Sequence, residues 1–207
     1  MNEKFFELPE EKRLSIINAG FEVFSKSEYK KASTEDIAVK AGISKGLLFY
    51  YFHDKKTLYL FLYDHAEKLL TESVIDAHFS EITDVFEMFE YAAGRKYAIL
   101  QKSPYVMDFV MRAFYSQKEV VTDDLNRRFE KKTTEIYATM FSNVDFSKFR
   151  DNVNPMEIMQ MLSWTADGYL HEQQRQRKDI DLDNLMAKYR SWSVIFKNIA
   201  YKEEYQK

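Results

Sequence analysis

Residues Ser33–Lys56 read STEDIAVKAGISKGLLFYYFHDKK, and the fold is decided by how these letters divide. The Ser33 hydroxyl is placed to accept from the amide of Asp36, whose carboxylate sits in a first helical turn, where the positive end of the helix dipole favours it. Ile37, Ala38 and Ala41 supply a small apolar face. Gly42 follows, where a chain leaving a helix often takes a left-handed conformation that glycine adopts without strain. Ile43 packs beneath the turn, and Ser44 is placed to cap a second helix running through Phe52. A helix, a short turn containing glycine and a second helix form the helix-turn-helix pattern.

On a wheel of about 3.6 residues per turn, Leu48 and Phe52 point the same way, into a domain. Gly46 and Tyr50 then point outward, with Leu47 and Phe49 on the flanks and Ser44 and Lys45 at the exposed N-terminus. A helix docked in a major groove offers its N-terminal residues to base edges, while phosphates take Lys, Ser, Thr and Tyr donors and helix N-termini. Lys45, Tyr50, Tyr51 and Lys55 meet that need. The LLFYYF run taken alone would serve equally as a buried aromatic helix. Cap, glycine turn and cationic ends in register are what favour DNA.

The stretch AGISKGLLFYYFHDKKTL, Ala41 to Leu58, closely resembles the AGVSKGTLYxYFxSKExL block of TetR-type transcriptional repressors. The Phe-rich helix before it is similar to that family's N-terminal helix, and the remainder is similar only in being helical. The resemblance implies that Thr34, Ser44, Lys45, Gly46, Leu47, Phe49, Tyr50, Tyr51 and Lys55 occupy DNA-facing positions. The family commonly has Tyr where this chain has Phe49, so a phosphate hydrogen bond is either missing or taken over by Tyr50. Leu47 stands at a variable family position, suited to apolar contact with a thymine methyl.

The 207 residues are enough for a substantial core, and five glycines with three prolines leave little room for the turns of an all-β protein. The chain reads as all-α. It has no cysteine, so neither a disulfide framework nor a thiolate zinc site is available, which suits a reducing cytoplasm. No run approaches the ~18 apolar residues of a membrane span, and MNEKFFELPEEKR is too charged for a secretory signal, so a soluble, cytoplasmic protein is expected. The formal net charge of -3 at first argues against nucleic acid. Its distribution answers this: from Lys26 to Lys56 seven lysines face four acidic residues, a local +3, leaving -6 for the remainder. A basic patch on an acidic body lets a small reader bind phosphate.

Pro9 sits near the first turn of an opening helix, where its missing amide costs nothing. Leu14, Ile17, Phe21 and Phe24 follow as a core-facing stripe, completing a three-helix reader. Asp54 is placed to cap a fourth helix carrying Leu58, Leu62 and Leu69 and running without Pro or Gly to about His78, a rigid lever into the next domain. Further helices are expected from Ser80 to about Gln101, from Ser103-Pro104, from Thr122 to about Phe141, from Asn154-Pro155 to about Arg177, and from Asp181 to about Tyr205. The expected architecture is an N-terminal helix-turn-helix domain over residues 1–54, joined by a continuous helix to a helical effector-binding and dimerisation domain over 55–207.

The middle helices are rich in Phe, Tyr and Met, a mixture that suits a pocket for a greasy organic molecule. Phe86, Phe89, Met107, Met111, Phe114, Tyr115, Tyr137, Met161 and Trp164 are the candidate lining. Each would serve as well in an ordinary core, and it is the resemblance that implies a pocket for a small hydrophobic or aromatic effector. Met156, Met159, Trp164 and Leu170 on one terminal helix, and Leu185, Tyr189, Trp192, Phe196 and Ile199 on the other, give more apolar surface than a monomer hides. The resemblance implies a homodimer through these two helices. A two-fold dimer sets two readers about one DNA turn apart, roughly 34–36 Å, and calls for a palindromic operator.

Two other classes use an all-α chain. A helical-bundle di-metal enzyme needs Glu-x-x-His pairs, and His53, His65, His78 and His171 each lack a Glu three residues earlier. No His-Glu-x-x-His motif, phosphate-binding glycine loop or Gly-x-Ser-x-Gly elbow occurs, so no catalytic constellation, metal or cofactor is expected. An all-α adaptor that binds protein would use the terminal apolar faces but leaves the Ser44 to Lys55 array without a purpose. The expectation is a dimeric, ligand-responsive transcription regulator that binds double-stranded DNA. The resemblance implies repression, although the residues are equally compatible with activation.

Overall fold

The computed structural model describes residues 1–76, 78–115, 121–128, 141–176, 178 and 180–206, with the side chains of 104, 114, 115 and 174 outside that description. A 3-10 turn at Glu3–Phe5 precedes α1 (Glu10–Lys26), α2 (Thr34–Lys40), α3 (Lys45–Phe52) and α4 (Lys55–Glu72). Then follow α5 (Val85–Lys102), α6 (Pro104–Tyr115), a helical stretch α7 described over 122–128, α8 (Pro155–Arg175) and α9 (Leu182–Ala200). No described residue lies in a β-strand; the one extended pairing is an isolated bridge between Phe149 and Tyr201. No helix among the described residues is long and apolar enough to cross a membrane.

The chain forms two compact units, Met1–Thr71 with Lys102–Thr134, and Glu72–Gln101 with Glu135–Lys207. In the first, α1 packs chiefly against α6 and α2. Ile17, Phe21 and Phe24 are buried as their spacing requires, whereas Leu14, expected in the same stripe, is 42% exposed. α4 meets α1 at Gly20, where a Cβ would lie 2.6 Å from Leu62 Cδ1, so any larger residue there would have to push the Leu62 side chain aside. Phe109 of α6 inserts between the two, its ring 5.2 Å from Phe21 and 5.0 Å from Tyr59.

Helix boundaries depart from the sequence reading in three places. α4 stops at Glu72 rather than near His78, because Arg95 Nε takes the Ser73 carbonyl at 2.7 Å and Asp76 caps a separate 3-10 turn through the Phe79 amide at 2.9 Å. α5 starts at Val85, not Ser80, because Asp84 accepts from the amides of Phe86 and Glu87 at 3.0 and 3.2 Å. α9 ends at Ala200 rather than Tyr205. There the backbone turns aside to pair with 148–150, Arg150 N donating to Ala200 O at 2.9 Å and Lys202 N to Lys148 O at 3.0 Å. The starts of α6 and α8 at the two Ser/Asn-Pro pairs and of α9 after Asp181 stand as read, and the far end of the helix expected from Thr122 lies outside the described residues.

The second unit closes on Asp84. Its carboxylate caps α5 and also faces the ammonium groups of Lys148 at 3.4 Å and Lys197 at 3.6 Å, beside fully buried Tyr201. Burial pushes the Asp84 carboxyl up, but the Glu87 amide, the Lys197 and Lys148 charges and the Phe86 amide outweigh it and hold the group below 3.8. A depressed carboxyl stabilises fully above its unfolded pKa and loses that contribution as pH falls through the folded one. Both tryptophans, Trp164 and Trp192, lie in this unit and report its unfolding. Urea unfolding followed by their fluorescence at pH 7 should show Asp84→Ala destabilised by about 1–2 kcal/mol, the loss of a helix cap. In the wild type the same increment should fade only below pH 3.8.

Candidate nucleic-acid interface

The reader is built from three local devices. The Ser33 hydroxyl accepts from the Asp36 amide at 3.2 Å and opens α2. α2 ends on Gly42 at φ +68°, with the Gly42 amide on the Val39 carbonyl at 3.1 Å and the Ile43 amide on the Ala38 carbonyl at 3.0 Å. This paired arrangement satisfies the last carbonyls of a helix and needs a left-handed residue. Ser44 then accepts from the Leu47 amide at 3.1 Å and starts α3.

α3 is buried along one edge only. Leu48 and Phe52 are each 1% exposed, while Ser44, Lys45, Gly46, Leu47 and Tyr50 are exposed and Phe49 is half-buried. The exposed set is the N-terminal half of the helix plus Tyr50, the end that a groove-docked helix offers to bases. Thr34, the first residue of α2, is half-buried. Lys45 Nζ lies 3.3 Å from Glu35 Oε2, both side chains about half exposed. Such a surface pair contributes ~0–1 kcal/mol and yields readily to a phosphate.

Two of the expected contact residues also have work inside the protein. The Tyr51 side chain is 7% exposed, its ring edge-on to Phe5 at 5.9 Å, and its carbonyl accepts from the Asn2 amide at 2.7 Å. Lys55 Nζ donates to the carbonyls of Lys30 at 3.2 Å and Ala32 at 3.0 Å and lies 4.8 Å over the Tyr29 ring. It therefore fixes the loop that carries Lys30 and Lys31 to the start of α4. Asp54 caps that start through the Thr57 amide at 2.7 Å, and this hydrogen bond holds its carboxyl below the ordinary range. Between α3 and α4, His53 sits at φ +61°, with the Asp54 amide on the Phe52 carbonyl at 2.7 Å. That is a three-residue turn of the strained hand.

Residues 16–61 match the family described as bacterial regulatory proteins, tetR family. These residues, from α1 into the first part of α4, are the reader described above, and over them the chain is similar to that family of DNA-binding regulators. Solved TetR-type structures share its fold: the fatty acid degradation regulator FadR from Bacillus halodurans is 17% identical with a TM-score of 0.69 over 86% of this chain and 96% of that one. FadR from Bacillus subtilis, in complex with stearoyl-CoA, is 16% identical with a TM-score of 0.69 over 88% and 96%. A TetR-like transcriptional regulator from Rhodococcus sp. RHA1 is 17% identical with a TM-score of 0.61 over 90% and 96%. Comparison with curated protein sequences gives no match.

The effector-lining residues expected from the sequence are dispersed. Phe86 is buried in the second unit, 5.1 Å from the Tyr201 ring, and Phe89 packs edge-on to Phe141 at 6.2 Å. Met107 is half-buried and Met111 buried in the first unit. The side chains of Phe114 and Tyr115, and all of Tyr137, lie outside the described residues. Met161 and Trp164 stand exposed on α8, Trp164 at 62%, together with Met156 and with Val194, Ile195 and Ile199 of α9. Met159, read from the sequence as part of the apolar surface, is buried, and Trp192 is covered by Tyr169 at 5.7 Å.

Sequence reasoning missed the N-terminal turn. Phe5 is 1% exposed and its ring touches Phe52 at 4.9 Å, Phe61 at 5.2 Å and Tyr51 at 5.9 Å. The signal was present: a Phe5-Phe6 pair just before Pro9 and a helix start. The contrast between neighbours on α3 is measurable. Tyr51→Ala should destabilise the first unit by about 3 kcal/mol through the void left against Phe5, whereas Tyr50→Ala should stay within about 0.5 kcal/mol. Circular dichroism melts of the two variants check this.

Proposed function

We propose that the protein is a cytoplasmic homodimeric repressor that reads a palindromic operator with α3 and releases it on binding a small hydrophobic or aromatic effector. The observation that carries this is the one-sided burial of α3, with Ser44, Lys45, Gly46, Leu47 and Tyr50 left outside. In this reading Lys45 and Tyr50 hold phosphates, Leu47 meets a thymine methyl, and Thr34, Phe49, Tyr51 and Lys55 position or complete the contact. The exposed face of Met156, Met161, Trp164, Val194, Ile195 and Ile199 supports dimerisation through α8 and α9, since an apolar surface of that kind marks an association site.

The functional division is a reader over residues 1–54 and an effector and dimer region over 55–207. It runs across the two compact units, because α4, α6 and 122–128 share the first unit with the reader. That sharing supports a short route from effector to DNA. α6 touches α1 through Phe109 and through Arg112 Nε, which donates to the Ser25 carbonyl at 3.0 Å. A ligand that shifts α6 biases α1 and with it the spacing of two readers. Inverting a 1:99 population takes about 5.5 kcal/mol of differential binding. The acyl-CoA complex of one fold neighbour supports a long acyl chain as the effector to try first.

Selection of random duplexes by the purified full-length chain should enrich an inverted repeat with half-sites about 10–10.5 base pairs apart, bound by two protomers. Tyr50→Ala should then lose about tenfold or more in affinity for that site while keeping its fold. Stearoyl-CoA should release the wild type, and coenzyme A alone should not. Enrichment of a single unpaired half-site overturns the dimeric reader. Undiminished binding by Tyr50→Ala overturns the assignment to α3, and retention of the operator at saturating stearoyl-CoA overturns the acyl effector.

A further inference from the structure

A cleft of about 330 Å³ opens in the first unit between α1, α4 and the N-terminal turn. Its apolar lining is Leu14 and Ile17 from α1, Phe61 from α4, and Phe5 and Phe6 from the turn. Ile17 and Phe5 are buried, while Leu14 and Phe6 are 42% and 51% exposed, so two large apolar side chains meet water there. A concave site of this size, with mostly apolar walls and a few polar groups, is what a small organic ligand needs. None of the effector candidates read from the sequence lines it.

The charged groups around the cleft cancel: two acids, Glu10 and Asp64, stand against two bases, Arg13 and Lys68. Arg13 donates to the Phe6 carbonyl at 3.1 Å, Asp64 is paired with Arg128 from α7, and Lys68 is engaged within the protein. Glu10 lies in the first turn of α1, where the helix dipole favours its charge. An ion entering here would give up hydration without meeting a net countercharge. One polar group is left over. His65 also lines the cleft, its ring between Phe21 at 6.2 Å and Phe61 at 6.0 Å. Burial first, then the Lys68 charge, push its pKa below the ordinary histidine value, so at neutral pH it carries one N–H donor and one acceptor nitrogen. Among the described residues neither nitrogen is hydrogen-bonded, and neither is sealed from solvent.

We propose that this cleft is a second ligand site, taking an uncharged hydroxyaromatic molecule with its ring against Leu14, Phe6 and Phe61 and its hydroxyl donating to the acceptor nitrogen of His65. Aromatic rings pack on one another edge-on or offset, and the cleft offers two phenylalanine rings for this. A hydroxyl gives the imidazole its missing partner without bringing in a charge. The site adjoins the reader. Phe5, part of its lining, touches both Phe52 and Tyr51 of α3, and the Asn2 amide is bonded to the Tyr51 carbonyl. The turn that lines the cleft is also the clamp on the C-terminal end of α3.

The full-length protein, isotopically labelled, is titrated at neutral pH with 2-naphthol, and separately with 2-naphthoate and 2-naphthylmethylammonium, which carry the same rings with a negative and a positive charge. Naphthol should give saturable shifts at Leu14, Ile17, Phe61 and His65, and should move the His65 ring nitrogen resonance in the direction of an accepted hydrogen bond. Both ions should bind more weakly by about tenfold or more. His65→Phe keeps a ring in place without the nitrogens and should weaken naphthol by roughly three- to tenfold. Leu14→Trp, which fills the cleft from an exposed position, should abolish the shifts with circular dichroism unchanged. Either ion binding as tightly as naphthol, an unmoved His65 nitrogen at saturation, shifts confined to the second unit, or no saturation at millimolar concentration would each overturn the site. The wild-type readings depend on no variant, and none needs DNA, so failure here is distinct from failure of the operator reading.

Discussion

The burial of Leu48 and Phe52 is the constraint on which the reader depends. α3 has eight residues, well short of the ~12–15 at which an isolated helix becomes even marginal in water, so its helicity must be supplied by contacts from outside. Phe52 receives them from Phe5 at 4.9 Å and Phe61 at 5.4 Å, and Ser44 closes the other end. Because the anchoring uses one edge, the opposite edge is released to water, and that is the surface a DNA groove can take. Structure and function here are two sides of one short helix.

The same economy governs the basic residues around it. Lys55 joins the 27–32 loop to the start of α4 through two carbonyls and the Tyr29 ring. Lys26 and Lys40 share Glu22, each at 2.8 Å, and hold its carboxyl low through those hydrogen bonds. These cations shape the basic face as well as charge it. Exposed pairs of this kind cost little to break, so a phosphate that replaces Glu35 at Lys45 gains nearly its full charge interaction.

The helix-turn-helix was legible in the sequence because its determinants are local: Ser33, Gly42 and Ser44 each act on atoms within about one helical turn. The end of α4 was not, because it is fixed by Arg95, far along the chain from the Ser73 carbonyl it occupies. Ser80 and Asp84 are both capping residues, and nothing near them in sequence says which one meets free amides. Leu14 looks like the fourth member of a buried stripe, yet it lines an open cleft, since periodicity reports the face of a helix and not what lies opposite. The dispersed effector candidates illustrate the same gap. Aromatic and Met side chains serve core, cavity and association face alike, so Phe86 ends in a core and Trp164 on a surface.

The central claim is that the N-terminal half of α3 enters the major groove, and the absence of cysteine from the chain permits a direct test. Leu47→Cys carries a single thiol on that exposed edge, to which an iron chelate that cleaves DNA is attached, with Val194→Cys on α9 as the control. The account predicts cuts from the Leu47 position at two places about one helical turn apart, offset as major-groove cleavage requires, and none from Val194. Cleavage from Val194 alone, or cuts scattered without preference from Leu47, would contradict it.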